Sequence, residues 1–285
     1  MLGFGRALSV GLVGLTAASF TSANGVHNAG ITWGSVDTIE GANVDGSGRH
    51  VVFPRGYDEE GDPAWTRDGR GLAFVAALSD TVQIFVMWPG TRSRVLGSGS
   101  SRSREPTWSP DAKRIAVSEG GSFGSSTGPL ASTIMIVSLA TNKWTSVTKP
   151  RRHRSDIDPA WSPDGRTIAF ARRLHDGTPT LYLVHPDGSA LRRLTKGRSP
   201  SWSPDGKRLA FALGGSIYEI RADGGGRKRI LRGLSYPLVR WSPDGRKLLY
   251  TSEKADVWTG DVDGTHRRRI LHRVVIDGIA WRPGS

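Results

Sequence analysis

The chain has 285 residues, no cysteine and a formal net charge of +13 at pH 7. The lack of cysteine excludes disulfides and thiolate metal sites. A basic balance suggests nucleic acid as a partner. However, the 31 Arg and 8 Lys residues are spread along the whole chain, and no aromatic-interleaved stacking surface is visible. We therefore expect no nucleic-acid partner.

The start of the chain has the pattern of a secretory signal peptide. Arg6 precedes an uncharged run of small and apolar residues at 7–20, and Thr21-Ser22-Ala23 offers small residues for cleavage. The apolar run is shorter than the ~20 residues that a membrane-spanning helix needs. We expect residues 1–23 to be removed on export, residues 24–285 to form one domain, and any membrane association to be peripheral.

Three strand-like segments come next. Residues 31–35 (ITWGS), 37–44 and 50–53 are rich in β-prone residues, and Asp45-Gly46-Ser47 is a turn signal between the second and third. Trp33 lies in the first of these strands.

A repeated pattern then covers most of the chain. Copies of Pro-x-Trp-Ser-Pro-Asp-Gly-(Lys/Arg)-x-(Ile/Leu)-Ala-Phe are anchored at Trp65, Trp108, Trp161, Trp202 and Trp241, with a truncated copy at Trp281. The successive gaps between these tryptophans are 43, 53, 41, 39 and 40 residues. A period of about 40 residues with several short strands indicates a β-propeller. We expect the six repeat tryptophans to pack between blades.

The fourth full copy shows how one unit is built. Residues 201–203 are predicted as a first strand, and Ser203-Pro204-Asp205-Gly206 as a type I turn. Residues 208–213, 216–221 and 228–232 are the second to fourth strands. Four antiparallel strands make one blade.

The two ends of the chain complete one another. The copy at Trp281 stops after a first strand, and residues 31–53 match second to fourth strands. We therefore predict an all-β, six-bladed propeller whose sixth blade takes one strand from the carboxyl end and three from the amino end. Such pairing removes two free strand edges.

The longest loop gives a candidate contact segment. Since strands alternate direction, the links from fourth to first and from second to third strands share one face, here called the variable face. The opposite face, the turn face, carries the Ser-Pro-Asp-Gly turns.

Residues 118–132 form the longest variable-face link and contain two Gly-x-Ser-x-Gly sequences. A hydrolase nucleophile needs a strand before and a helix after. Because a strand follows here, we predict no catalytic residue, and interpret the segment as a loose linker or a partner-contact loop.

Carboxylates recur where the first strands start. Asp62, Glu105 and Asp158 each stand three residues before a repeat tryptophan. First strands line the channel of a propeller, so we expect these acids on one side of its mouth. Oxygen ligands suit Ca²⁺, but the acids can instead cap local backbone N–H groups or pair with loop arginines such as Arg104 and Arg154. We favour the second explanation. The histidines lack metal-ligand spacing, so no metal and no cofactor are predicted.

The repeat resembles the propeller repeats of the TolB family, and similar repeats occur in tricorn protease and the prolyl oligopeptidases. The long copies cover residues 62–260. The resemblance implies a six-bladed ring that binds other proteins across its channel face, and a periplasmic location beside envelope proteins. TolB also has an α/β domain before its propeller, for which we expect no counterpart here.

We therefore predict an exported, monomeric, non-enzymatic scaffold that binds a protein or cell-envelope ligand on the variable face. The predicted contact residues are Asp62, Glu105, Ser126, Arg151, Arg152, His153, Arg154, Asp156 and Asp158. Two alternatives stay open. One is a channel-mouth metal-assisted hydrolase or polysaccharide lyase, motivated by the carboxylates. The other is a structural or polyanion-binding role, motivated by the net charge.

Overall fold

The computed structural model describes residues 30–35, 38–53, 60–78, 81–88, 91, 93–97, 103–120, 132–149, 154–174, 177–235, 237–252, 255–274, 276 and 278–284. Every regular element assigned in these ranges is a β-strand. The described residues contain no helix that is long and apolar enough to cross a membrane. The predicted signal peptide, Ser126 and residues 151–153 lie outside the described residues.

Within the described residues, twenty-four strands form six four-stranded antiparallel sheets. The amino-terminal strands are β1 (Gly30–Ser35), β2 (Thr38–Asn43) and β3 (His50–Phe53). Blade 1 contains β4 (Glu60–Trp65), β5 (Leu72–Leu78), β6 (Thr81–Met87) and β7 (Arg94–Leu96). Blade 2 contains β8 (Ser103–Trp108), β9 (Arg114–Glu119), β10 (Thr133–Ser138) and β11 (Trp144–Ser146). Blade 3 contains β12 (Arg154–Trp161), β13 (Ile168–Leu174), β14 (Thr180–Val184) and β15 (Arg192–Lys196).

The remaining strands complete the ring. Blade 4 contains β16 (Arg198–Trp202), β17 (Arg208–Leu213), β18 (Ser216–Arg221) and β19 (Lys228–Leu231). Blade 5 contains β20 (Val239–Trp241), β21 (Lys247–Thr251), β22 (Val257–Asp261) and β23 (Arg268–Leu271). Blade 6 joins β24 (Ile279–Arg282) to β1, β2 and β3, in that order.

The predicted closure is confirmed. Strand β24 pairs antiparallel with β1, and Ile31 lies opposite Trp281. Trp33 lies opposite Ile279 and is almost completely buried, as expected for a second-strand residue. The fold class and the shared sixth blade therefore follow the sequence pattern.

The hydrophobic core is divided among the six interfaces between blades. Each interface has its own apolar cluster, and each cluster contains one repeat tryptophan. The indole N–H of Trp108 donates to Ala64 O of the preceding blade at 2.9 Å, and that of Trp202 to Ala160 O at 3.1 Å. Each tryptophan thus contributes buried apolar area and, in these cases, a hydrogen bond between blades.

The Ser-Pro-Asp-Gly turns have the predicted local geometry. Gly206 N–H donates to Ser203 O at 2.9 Å, and Gly206 has a φ of +69°, which glycine adopts without steric cost. Asp205 Oδ1 accepts from Ser203 Oγ at 2.6 Å and from Lys207 N–H at 3.0 Å. These hydrogen bonds hold the pKa of Asp205 below its usual value.

The first strands of blades 1 to 4 are bulged, and β16 begins earlier than predicted. β16 starts at Arg198 rather than at residue 201, and Ser203 lies in the turn. Arg104 and Arg154, expected in loops, lie in β8 and β12. The pairing register shifts around each Asp-Pro, Glu-Pro or Ser-Pro pair in blades 1 to 4. A proline cannot donate to the ladder, and a β-bulge is one of the places where a strand tolerates it.

Candidate functional site

A central channel of about 410 Å³ is lined by residues of all six blades. One end carries the residues that stand three positions before the repeat tryptophans. Four of these six residues lie in β-bulges, and we call this end the bulge rim. The rim consists of Asp62, Glu105, Asp158, Ser199, Leu238 and Gly278. The other end, the turn rim, carries the turn prolines. The three predicted carboxylates therefore do meet at one mouth of the channel.

Backbone geometry fixes where the rim side chains lie. Asp62, Glu105, Asp158 and Ser199 have φ values of +48°, +56°, +54° and +50°. This left-handed conformation costs an L residue roughly 1–2 kcal/mol. Gly278 occupies the same place in blade 6 at φ +104° without that cost. Strained residues at a channel mouth persist only when their surroundings hold them in place.

A chain of hydrogen bonds supplies that hold. Asp62 Oδ2 accepts from Glu105 N–H at 3.1 Å, and Glu105 Oε2 accepts from Asp158 N–H at 2.5 Å. Asp158 Oδ2 in turn accepts from Ser199 N–H at 2.8 Å. Each carboxylate thus binds the bulge of the following blade, and blades 1 to 4 are joined at the rim. The acids therefore cap backbone N–H groups, but these belong to the following blade and not to the local chain segment that the sequence suggested.

Glu105 is the electrostatically unusual member of the rim. Burial raises its pKa well above the ordinary value of 4.5, and the charges of Asp158 and Asp62 raise it further. A side-chain hydrogen bond with Asp158 acts in the same direction. A protonated Glu105 carboxyl can donate to the Asp158 carboxylate, and this reduces the repulsion between neighbouring acids.

The structure also tests the rim as a metal site. Among the described residues, no three His, Asp or Glu side chains are arranged to hold a metal ion. The acids stand one per blade, and each of the three uses a carboxylate oxygen on a backbone amide. The three carboxylates of the rim therefore act as hydrogen-bond acceptors for backbone amides.

Asp156 has a different position from the other predicted contact residues. Its side chain is fully buried and receives two hydrogen bonds from Arg172, Nε to Oδ1 at 2.6 Å and Nη2 to Oδ2 at 2.8 Å. Its backbone oxygen accepts from Ser118 Oγ and Ser132 Oγ of blade 2, each at 3.0 Å. Asp156 therefore fixes β12 against blade 2 beneath the rim, whereas Arg154 is half-buried at the start of that strand.

Two channel arginines were missed from the sequence. Arg240 stands just before a repeat tryptophan, where the other copies have Ala, Thr or Ser. Its Nη1 donates to Ser199 Oγ at 3.1 Å, which extends the rim hydrogen-bond chain to blade 5. Arg67 replaces the turn proline, and its Nη1 reaches Pro163 O across the turn rim at 3.5 Å. Aligning the six copies position by position would have found both.

Comparison with known proteins agrees with this architecture. A family model described as the TolB beta propeller domain matches residues 90–277. The chain belongs to the TolB β-propeller family. This TolB-type propeller is 32% identical over 224 residues to the protein TolB homolog of Chlorobaculum tepidum, covering 66% of this chain and 49% of that protein. It is 28% identical over 161 residues to the uncharacterized peptidase YuxL of Bacillus subtilis, covering 45% of this chain and 24% of that protein.

The matched region of the TolB-type propeller is therefore half or less of the length of these curated relatives. Among solved structures, TolB from Acinetobacter baumannii has a TM-score of 0.75 at 20% identity, covering 92% of this chain and 69% of that one. A chain of a nidogen/laminin complex has a TM-score of 0.74 at 12% identity, covering 90% and 98%. At such identities the likeness shows the fold, and the predicted resemblance and fold are both confirmed.

Proposed function

We propose that this TolB-type propeller is an exported, non-enzymatic scaffold that binds a protein or cell-envelope ligand at the bulge rim. The observation that carries the proposal is the row of three carboxylates, Asp62, Glu105 and Asp158, set at one channel mouth by bulges and backbone hydrogen bonds. The pattern of residues 1–23 supports export.

The rim is built for recognition because it is rigid before a ligand arrives. A ligand that meets fixed groups avoids the entropic cost of ordering them. The charges are also unequal around the mouth. Blades 1 to 3 present acids, whereas blade 5 presents Arg240. A cationic group of the ligand is therefore drawn to one side and an anionic group to the other, which fixes its orientation.

Two of the comparisons are consistent with a binding role. A matched relative is named a TolB homolog, and one structural neighbour with this fold is part of a complex between two proteins, nidogen and laminin. We propose that the variable-face loops carry further contacts. The proposed contact residues are Arg154 at the start of β12 and the variable-face residues Ser126, Arg151, Arg152 and His153. Asp156 contributes by holding β12 in position.

Cross-linking tests the proposed contact surface directly, because the chain has no cysteine. Single cysteines at Ser126 and His153 on the variable face should cross-link to a ligand in the native envelope. Control cysteines at Lys207 and Arg246 in the turn-face turns should not. Cross-linking from the control positions alone would contradict the assignment of the binding face.

Charge removal tests the rim itself. The triple variant Asp62→Asn, Glu105→Gln, Asp158→Asn keeps each hydrogen-bond acceptor and removes the acids, so it should lose the cross-linked ligand. The matched triple variant Asp111→Asn, Asp205→Asn, Asp244→Asn removes three acids of the turns and should retain it. Equal retention by both variants would show that the rim charges do not bind the ligand.

A second candidate function is a channel-mouth hydrolase or lyase. It is favoured by the raised pKa of Glu105 next to Asp158, since a carboxyl that keeps its proton can act as a general acid. The peptidase name of one relative belongs to the same class. Loss of a peptide- or polysaccharide-cleaving activity in Glu105→Gln, with retention in Asp205→Asn, would support it. Absence of such activity in the wild-type protein, with and without Ca²⁺, would exclude it.

A further inference from the structure

A second concave surface lies outside the channel, between blades 2 and 3 on the turn face. It is a groove of about 720 Å³, bounded by the outer strands of blade 2 and the turns of blade 3. We call it the interblade groove. Its polar and charged lining includes Arg114, Ser138, Lys143, Arg166, His185 and Asp187.

The interblade groove has more positive than negative charge. Among the described residues, no carboxylate lies within 4.0 Å of the charged nitrogens of Arg114, Lys143 or Arg166. Asp187, the acid among the lining residues, accepts from Ser189 N–H at 2.8 Å, and the Ser189 hydroxyl and backbone lower its pKa. The Asp187 carboxylate is therefore engaged by hydrogen bonds within its own turn.

Arg114 is held at the inner wall of the groove. Its guanidinium carbon lies 4.9 Å from the ring centroid of Trp161 in the next blade. Its backbone N–H donates to Ser109 Oγ at 2.9 Å. A cation stacked on an aromatic ring keeps its donor edge available for an anion.

Blade 4 provides an internal comparison. Arg208 takes the place of Arg114 and lies 5.1 Å from the ring centroid of Trp241. There, however, the guanidinium also pairs with Glu219, Nη1 to Oε2, at 3.1 Å. Glu219 lies opposite Ala210, and the corresponding partner of Ala116 in blade 2 is Ile136. The carboxylate that neutralises the arginine in blade 4 is therefore replaced by an apolar side chain in blade 2.

We propose that the interblade groove binds a phosphate or phosphodiester group. Three cations and the hydroxyls of Ser138, Thr141 and Thr145 surround the space, and phosphate oxygens accept from both kinds of donor. Arginine and lysine together offer a planar donor edge and a mobile point charge to the phosphate oxygens. This site lies on the opposite face from the bulge rim and is independent of the ligand proposed there.

Two phosphate sources are distinguished by two probes. Pyrophosphate in solution is measured by isothermal titration calorimetry, and phosphatidylglycerol vesicles are measured by co-sedimentation. Lys143→Gln with Arg166→Gln should weaken whichever probe binds by about tenfold or more, since hydrogen bonds between charged groups are stronger than those between neutral groups. The matched control, Lys207→Gln with Arg246→Gln, removes the same charge from turns outside the groove and should change binding less than about twofold.

Ile136→Glu is the sharper variant. It introduces the carboxylate that blade 4 has at Glu219, so Arg114 should become paired and the groove should lose the probe while the fold is kept. If Ile136→Glu does not fold, the double variant remains the test.

Loss of pyrophosphate binding in the groove variants identifies a soluble phosphate compound as the ligand. Loss of vesicle binding alone identifies a lipid headgroup. No binding of either probe to the wild type, or an equal loss in the matched control, overturns the proposal.

Discussion

The two rims of the channel use the same residue type in opposite ways. At the turn rim, aspartates recur at one position of each turn. They are Asp68, Asp111, Asp164, Asp205 and Asp244. Each accepts hydrogen bonds from a hydroxyl and a backbone N–H of its own turn, and each has a lowered pKa. These contacts are local and need no neighbouring blade.

At the bulge rim the carboxylates bind the next blade, and Glu105 has a raised pKa. Backbone amides stabilise the charged form at both rims. The difference comes from burial and from the neighbouring acids Asp62 and Asp158, which favour the neutral form of Glu105. A hydrogen-bonded carboxylate therefore stabilises a single turn at one rim and joins blades at the other.

The largest expected effect comes from the buried charge beneath the bulge rim. Asp156→Ala leaves Arg172 without its carboxylate in a buried site, and we expect a loss of about 3–5 kcal/mol in the free energy of unfolding. Urea unfolding measures it. The double variant Asp156→Ala, Arg172→Met should recover part of the loss, because it removes the unpaired charge. A loss below ~1 kcal/mol in the single variant would show that the pair is solvated.

The next effect compares one acid from each rim. Asp158→Ala leaves the Ser199 N–H of the next blade without its acceptor and should cost about 1–3 kcal/mol. Asp205→Ala breaks only contacts within an exposed turn and should cost about 0.5–1.5 kcal/mol. Asp158→Asn retains an acceptor oxygen and serves as the control. Equal costs for the two alanine variants would remove the distinction between local and interblade contacts.

The smallest effect is a difference in pH dependence. Because the pKa of Glu105 is raised on folding, the folded state holds more protons above pH 4.5, and stability is lost as the pH rises towards the folded value. The gain in Tm of Glu105→Gln over the wild type should therefore grow as the pH increases from 4.5. Differential scanning calorimetry between pH 4 and 8 measures it.

Asp205→Asn gives the opposite sign in the same experiment. The pKa of Asp205 is lowered on folding, so its contribution is present above pH 3.8 and is lost as the pH falls through the folded value. The Tm deficit of Asp205→Asn relative to the wild type should be nearly constant above about pH 5 and should shrink when the scans are extended below pH 4. A parallel pH profile for both variants would contradict the raised pKa of Glu105.

The sequence predicted the ring because its signals are local and repeated. The turn around Asp205 and the strand at residues 216–221 were both found from turn chemistry and alternation. The pairing of β24 with β1 followed from an incomplete last copy. The bulges were missed because the first strand of the fourth copy was predicted to begin at residue 201, after its proline. In fact β12 continues through Asp158 and Pro159 with a shifted register.

The candidate site could be predicted only in part. The three acids were placed at one mouth because each precedes a tryptophan by the same number of residues. Their partners were not found, because a hydrogen bond from Asp158 to Ser199 depends on how two blades are rotated relative to one another. The burial of Asp156 was missed for a similar reason, since its partner Arg172 lies on the adjacent strand after a bulge has changed the register.

The seam in blade 6 determines how the ring responds to mechanical force. In the β24–β1 ladder, the first residue of β1, Gly30, lies opposite the last residue of β24, Arg282. The start of β1 and the end of β24 are therefore at the same end of the seam. Tension applied at these two residues would peel the ladder open one hydrogen bond at a time, as a zipper opens, and would not load all its bonds together in shear. Under such tension, β24 and β1 would therefore separate first, and the closed ring of blades would open at blade 6.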